Sequence, residues 1–167
     1  MWRRILVPQT ITLFKLHTVI QLAFGWTDTH LHEFTASDGQ RYGTSDPDDH
    51  AAGEVASERV RLSTALAGAR TLRYEYDFGD SWTHRIRVEK VLAPDPQLRL
   101  PRCVDGGGAR PPEDCGGAPG YEDFLQAMSD LRHPEHASTA RWLGHESWDA
   151  NACEVADIND GLADIRL

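Results

Sequence analysis

A stretch of strict alternation over residues 72–88 constrains the fold more than any other part of the sequence. Apolar and aromatic side chains occupy even-numbered positions on both sides of Gly79 and Asp80, the pattern of two strands joined by a turn. Because both apolar sets are even-numbered, only a loop with an odd number of residues places them on one face of the hairpin. The expected cross-strand pairs are Phe78 with Trp82, Tyr76 with His84, and Glu75 with Arg85.

The clearest helix signal lies over residues 13–24. Thr12 can cap its start, Gly25 occupies the position of a C-terminal cap, and an apolar stripe recurs at helical spacing between them. Weaker patterns predict strands at residues 2–7 and 30–35, and one helical turn after a cap at Ser63. Residues 37–53 are rich in polar and turn-forming side chains and predict a loop.

The second half of the chain differs from the first half in composition and in predicted secondary structure. Residues 94–120 are rich in proline and glycine and predict a long loop that contains Cys103 and Cys115. Helical patterns follow in residues 121–131, 134–144 and 154–162. We therefore expect an α+β protein with a mixed or antiparallel sheet packed on one main helix. Residues 1–120 would form the sheet domain, and residues 121–167 a helical extension packed on it.

Charge and cysteine content narrow the classes of function. The 167 residues carry a net charge of −9, and residues 103–167 hold four basic and 13 acidic side chains. Such a chain is a poor electrostatic match for a phosphate backbone, so direct nucleic-acid binding by this chain alone is not expected. No apolar run approaches the roughly 20 residues of a membrane span. Three cysteines and no secretion signal predict a cytoplasmic protein without a disulfide framework.

Five sequence strings together resemble one known family. The chain is similar to the plasmid pRiA-type open-reading-frame-three proteins, first named from a root-inducing plasmid, over nearly its whole length. The strings are Trp2-Arg3-Arg4-Ile5-Leu6-Val7; Phe24-Gly25-Trp26 with His30-Leu31-His32-Glu33-Phe34; Tyr74-Glu75-Tyr76-Asp77-Phe78-Gly79-Asp80-Ser81-Trp82-Thr83-His84; Pro111-Pro112-Glu113-Asp114-Cys115-Gly116-Gly117; and His133-Pro134-Glu135-His136.

The resemblance implies a β-grasp-like α+β sheet with appended C-terminal helices. The family is essentially uncharacterised, although some members carry labels such as resolvase or repressor. Members usually have one more strand before the string that begins at Trp2, so we expect an unpaired sheet edge near residues 2–7, which favours either a homodimer or poor solubility. Members also often carry a cysteine close to Pro111, where this chain has Arg110.

Two sets of residues could bind a metal or a ligand. Cys103, Cys115 and His84 offer zinc-type ligands, although two cysteines separated by 11 residues form no standard motif, and ordinary loop thiols are the alternative. The other set holds histidines two apart on a strand and carboxylates at the hairpin tip, which suit a divalent cation or acid–base chemistry. Polar strand faces, turn chemistry at the aspartates and a core histidine are the alternatives there. This candidate pocket comprises His30, His32, Glu33, Asp77, Asp80, Trp82, His84, Glu113 and Asp114.

Four tryptophans admit two interpretations. Clustered on the surface they would mark a groove for a partner or ligand, whereas in a chain of this size they more often fill the core. They are Trp26, Trp82, Trp142 and Trp148.

No complete catalytic motif is present, because phosphate-binding loops, nucleophile elbows and zinc-protease helices are all missing. The sequence therefore favours a non-catalytic binding or interaction module with an unknown protein or small-molecule partner. The alternative is a metal-dependent hydrolase that uses the histidines and aspartates with zinc or another divalent metal. The hypothesis of a DNA-binding accessory factor rests only on family labels. A serine recombinase would need a nucleophilic serine among arginines, and the acidic surroundings of Ser81 do not provide this environment.

Overall fold

The computed structural model describes residues 1–43 and 54–166 of the chain. Its elements, in chain order, are β1 (Trp2–Leu6), α1 (Leu13–Phe24), β2 (His32–Thr35), β3 (Arg41–Gly43), β4 (Glu54–Ala56), a 3₁₀ turn (Ser57–Arg59), α2 (Leu62–Leu66), β5 (Thr71–Tyr76), β6 (Trp82–Arg87), β7 (Arg102–Gly107), α3 (Gly117–Ser129), α4 (His136–Leu143) and α5 (Val155–Leu162).

The strands of the described residues form two separate sheets. The larger sheet has the order β4-β3-β2-β5-β6, in which only β3 and β4 run parallel, and the smaller sheet pairs β1 with β7 antiparallel. The α+β class is therefore confirmed, whereas the β-grasp arrangement is not. Among the described residues, no helix is both long and apolar enough to cross a bilayer.

Helix α1 has the predicted boundaries because local capping fixes both ends. The Thr12 side chain accepts a hydrogen bond from the Lys15 backbone N–H, and Gly25 adopts the left-handed conformation with φ of 62°. The helix buries its apolar face in a core shared with β2, β5 and β6. This core contains Leu13, Leu16, Val19, Ile20, Phe24, Phe34, Leu72, Tyr74, Tyr76 and Trp82.

The hairpin of β5 and β6 has the predicted parity but a different register. Tyr76 pairs with Trp82 and Tyr74 with His84, so the loop is the odd five-residue segment 77–81 rather than three residues. Asp77 causes the difference, because its φ of 57° ends the strand and its carboxylate binds backbone N–H groups inside the loop. Phe78 is consequently 52% exposed instead of lying opposite Trp82.

Three expectations about loops and edges were wrong. The segment 94–120 is not all loop, because it contains β7 and the start of α3. The segment 37–53 contains β3, and its residues 44–53 lie outside the described part of the chain. The sheet edge at residues 2–7 is not wholly unpaired, because β7 supplies a partner strand for β1.

The C-terminal helix α5 is anchored to β7 through Asn159. The Asn159 side-chain oxygen accepts from the Cys103 backbone N–H, and its Nδ2 donates to the Cys103 carbonyl, each at 2.9 Å. Leu162, at the end of α5, is 1% exposed within the main core. The β1–β7 sheet and the tail of the chain therefore share the core with α1.

Candidate functional site

The site begins at Asp77, in the loop of the hairpin. Its Oδ1 accepts hydrogen bonds from the backbone N–H groups of Gly79 at 2.9 Å and Asp80 at 3.3 Å. Asp77 is buried, and its second oxygen, Oδ2, lies 3.7 Å from Nε2 of His30. One carboxylate oxygen of Asp77 is thus hydrogen-bonded within the turn, and the other faces His30.

His30 stands just before β2, between Asp77 and Asp114. Its Nε2 lies 3.0 Å from Asp114 Oδ1, yet this buried nitrogen makes no hydrogen bond of acceptable geometry. The ligand atoms of His30, Asp77 and Asp114 all lie within 4.8 Å of one another. We call these three residues the His–Asp–Asp cluster; it opens towards solvent at Asp114, whose side chain is 71% exposed.

Glu113 holds residues 111–114, a segment without regular secondary structure, in position through hydrogen bonds. Its Oε1 accepts from the backbone N–H of Thr27 at 2.8 Å and from the Tyr76 hydroxyl at 3.1 Å. In addition, Trp26 donates its indole N–H to the carbonyl of Pro111 at 3.1 Å. These contacts bind the segment to the end of β5 and to the loop after α1, and so position Asp114 beside His30.

Asp80 and Cys115 also lie at this junction. Asp80 Oδ2 accepts from the backbone N–H of Gly116 at 3.1 Å, which holds the hairpin loop against the start of α3. Burial, together with the nearby negative charge of Asp80, raises the pKa of the Cys115 thiol to about 11. In the absence of a metal, the Cys115 thiol is therefore less acidic than an ordinary cysteine thiol.

A second, deeper group contains His17, Asp28 and His32. The rings of His17 and His32 stack with centroids 3.5 Å apart and planes inclined by only 6°. Although their ligand atoms also lie within 4.8 Å of one another, an ion between parallel stacked rings would stand outside both ring planes, where the nitrogen lone pairs do not point. This group is consequently a poor metal site.

Hydrogen bonding and burial account for the arrangement of this deeper group better than metal binding does. Tyr74 accepts from Gln21 at 3.1 Å and can therefore donate to His17 Nδ1 at 2.8 Å, while His17 Nε2 donates to Asp28 at 2.7 Å. Burial lowers the pKa of His17 and lowers that of His32 from 6.5 to about 3. Burial also raises the pKa of Tyr74. Both imidazoles are thus held neutral as part of the core.

The remaining predicted site residues lie elsewhere. Glu33 is on β2, where it pairs with Arg41 at 3.2 Å. Trp82 and His84 belong to the aromatic core, where His84 contacts Phe24 and Trp26, and burial lowers its pKa. Cys103, in β7, is 1% exposed, and its thiol donates to the Asp105 carbonyl at 3.4 Å.

The two predicted ligand sets differ in how the structure arranges them. Within the described residues, Cys103, Cys115 and His84 are not among the groups whose ligand atoms converge. From the larger set, His30, Asp77 and Asp114 converge directly, and Asp80 and Glu113 support them through backbone contacts.

Sequence reasoning missed His17, Asp28 and Gln21. One signal was available, because His17 and Gln21 lie on the buried side of α1 among apolar residues. A polar side chain on an apolar stripe requires a buried partner. That partner, Tyr74, lies on a strand distant in the sequence, which the helical pattern alone does not reveal.

Fold and site together define a class: an α+β protein with two sheets whose loops gather one histidine and two aspartates beside a buried aromatic core. The chain belongs to the family of plasmid pRiA4b ORF-3-like proteins, whose profile matches residues 1–157. It is 39% identical over 166 residues to an uncharacterised protein of Sinorhizobium fredii (strain NBRC 101917 / NGR234), covering 98% of this chain and 84% of that protein.

A solved structure supports the same fold. The crystal structure of a protein of unknown function from Methanosarcina mazei Go1 is similar to this chain, with a TM-score of 0.83 and 34% sequence identity. The similarity covers 93% of this chain and 88% of that one. Neither relative's description names an activity.

Proposed function

We propose that the protein is a non-catalytic binding module whose His–Asp–Asp cluster takes a divalent metal ion. The observation that carries the proposal is the buried Nε2 of His30, which makes no hydrogen bond although it lies 3.0 and 3.7 Å from two carboxylate oxygens. Ligands about 2.1 Å from a tetrahedral zinc are about 3.4 Å apart, and these two distances bracket that value. One nitrogen and two oxygens suit zinc or manganese.

The surroundings support binding rather than catalysis. A general base needs a carboxylate free to take a proton from substrate or water. Asp80 and Glu113, two other carboxylates of the same loops, both accept backbone N–H groups and hold the loops together. The acidic charge of the chain also supports a partner other than nucleic acid.

We assign this role to the cytoplasm. Cys103, Cys115 and Cys153 are all free thiols, which fits a reducing compartment.

Zinc titration of chelator-treated protein by calorimetry tests the metal site. We expect one ion per chain, with affinity reduced at least about tenfold in His30→Ala and in Asp77→Asn. Asn retains an acceptor oxygen for the loop while removing the charged ligand, so Asp77→Asn separates binding from folding. His145→Ala removes an exposed histidine outside the cluster and should bind zinc normally.

The proposal fails if the wild type takes up no zinc or manganese, or if His30→Ala binds zinc as well as His145→Ala does. Circular dichroism of each variant establishes that it is folded before the affinities are compared.

A metal-dependent hydrolase is the second candidate, favoured by one observation. The cluster supplies three ligands and is open to solvent at Asp114, which leaves room for a metal-bound water, as catalytic zinc sites require. Zinc- or manganese-loaded protein would then hydrolyse an activated phosphodiester or ester, and Asp114→Asn would abolish the turnover. Turnover that persists in Asp114→Asn would come from a contaminant and would remove this candidate.

A further inference from the structure

A groove between α3 and α4 combines an exposed aromatic ring with carboxylates. It has a volume of about 320 Å³ and borders the His–Asp–Asp cluster only through Asp114. The lining residues are Asp114, Cys115, Gly120, Asp123, Phe124, Ala127, Glu135, Thr139 and Trp142. We call it the α3–α4 groove.

Its aromatic wall is buried on one side and exposed on the other. Phe124 is 5% exposed and packs edge-on against the rings of Trp142 at 6.1 Å and Trp148 at 5.2 Å. Trp142 itself is 52% exposed. The indole of Trp142 is thus held by Phe124, while much of its surface remains free to contact a ligand.

The charged residues that line the groove are all acidic, and among them Asp114 lies 3.0 Å from Nε2 of His30. Within the described residues, no hydrogen bond or ion pair engages the carboxylates of Asp123 and Glu135, and none of the lining residues is basic. The whole C-terminal segment 103–167 is acidic as well. A ligand complementary to this groove must therefore be cationic.

Shape and chemistry narrow the ligand further. A guanidinium group stacks flat on an indole and bonds to carboxylates, whereas an ammonium does only the second well. The volume is at the lower end of the roughly 300–1,000 Å³ of ligand pockets, which fits one long side chain better than a large molecule. We propose that the α3–α4 groove binds an arginine side chain presented by a peptide segment of a partner protein.

Calorimetry with a short arginine peptide, acetyl-Gly-Gly-Arg-Gly-Gly-amide, tests this assignment. The same peptide with citrulline replaces the charged guanidinium by a neutral urea of nearly the same shape. We expect the arginine peptide to bind and the citrulline peptide to bind at least about tenfold more weakly, with the affinity falling as salt rises. Chelator is present throughout, so that failure of this test is distinct from failure of the metal proposal.

Variants locate the binding. Asp123→Asn and Trp142→Ala should each weaken the arginine peptide about five- to tenfold, whereas Trp142→Phe should retain most of the affinity. Glu122→Gln removes one negative charge from the neighbouring exposed position of α3, which does not line the groove, and should leave the affinity within about twofold.

Equal binding of the arginine and citrulline peptides would overturn the proposal. So would a loss in Glu122→Gln as large as that in Asp123→Asn, because binding would then follow overall charge rather than the groove. Free arginine amide that binds as tightly as the peptide would also count against a peptide partner and would point to a small-molecule ligand. Melting curves of the two Trp142 variants show whether each is folded.

Discussion

Gly25 and Gly161 occupy positions that differ in whether they can accept a side chain. Gly25 ends α1 with φ of 62°, and an added Cβ would lie 2.9 Å from Nε of Arg110. Gly161 is inside α5, with open space around its missing Cβ. Backbone conformation and space are both unfavourable for a side chain at Gly25, and both favourable at Gly161.

We therefore expect the two alanine substitutions to differ in sign. Gly25→Ala should lower the free energy of unfolding by about 1–2 kcal/mol, since a side chain in the left-handed region is strained. Gly161→Ala should raise it by about 0.5–1 kcal/mol, because alanine has the higher helix propensity. Urea denaturation measures both, and equal effects at the two positions would contradict this account.

Histidine burial predicts a loss of stability in acid. The pKa values of His17, His32 and His84 are all lowered in the folded state, so the unfolded chain binds more protons below about pH 6.5. Stability should then fall as the pH falls from 6.5, by up to about 1.4 kcal/mol per pH unit for each histidine.

Urea denaturation between pH 7 and pH 5, with chelator present, measures this slope. His84→Gln removes one of the three groups and should make the slope shallower, whereas His145→Gln changes an exposed histidine and should not. An unchanged slope in His84→Gln would show that burial of this imidazole does not contribute.

At the scale of elements, the contact between α5 and β7 depends on one side chain. Asn159→Ala would leave the backbone N–H and carbonyl of the buried Cys103 without their partners. We expect a loss of about 2 kcal/mol or more in the free energy of unfolding, because each unsatisfied buried group costs about 1–3 kcal/mol. Asn151→Ala, at an exposed position, is the control; a comparable loss there would contradict the role of Asn159.

Elements with local signals were predicted well, and those that depend on distant partners were not. The caps at Thr12 and Gly25 define α1 without reference to the rest of the chain. In contrast, β7 ends in Gly106 and Gly107 and becomes a strand through pairing with β1, about 100 residues earlier. Alternation fixed the parity of the β5–β6 hairpin, but the register followed from the Asp77 backbone conformation, which the alternation does not encode.

At the scale of the whole molecule, the residues of the candidate site could be predicted from the sequence, whereas their arrangement in space could not. His30, Asp77 and Asp114 were all chosen from the sequence because of their chemistry. Their convergence was not predictable, since it depends on the segment 111–114 that Glu113 fastens to Thr27 and Tyr76. Conversely, His32 lies two residues after His30, as expected for neighbours on one face of a strand, yet His32 is buried in the core. The spacing alone does not predict which of the two imidazoles is buried, since burial depends on the packing of the whole fold.

Self-association is the prediction that concerns the molecule as a whole. Within the part of the chain that the structure describes, the β1–β7 sheet has two strands, and its residues Trp2 and Val104 are 46% and 43% exposed. We expect the homodimer to form through this sheet, with Trp2→Lys reducing association and Val91→Lys, at an exposed loop position, leaving it unchanged. Light scattering over a concentration series checks this, and a monomer at every concentration would contradict it.

The positions of the three cluster residues along the chain have one more consequence. Residues 30, 77 and 114 belong to the approach to one strand, a hairpin loop and the approach to a helix, so an ion held by all three would act as a reversible cross-link between distant parts of the chain. Unfolding would have to release that ion, and at 100 times its dissociation constant it would add about 2.7 kcal/mol of stability. The melting temperature would then serve as a gauge of how much metal the surrounding solution provides.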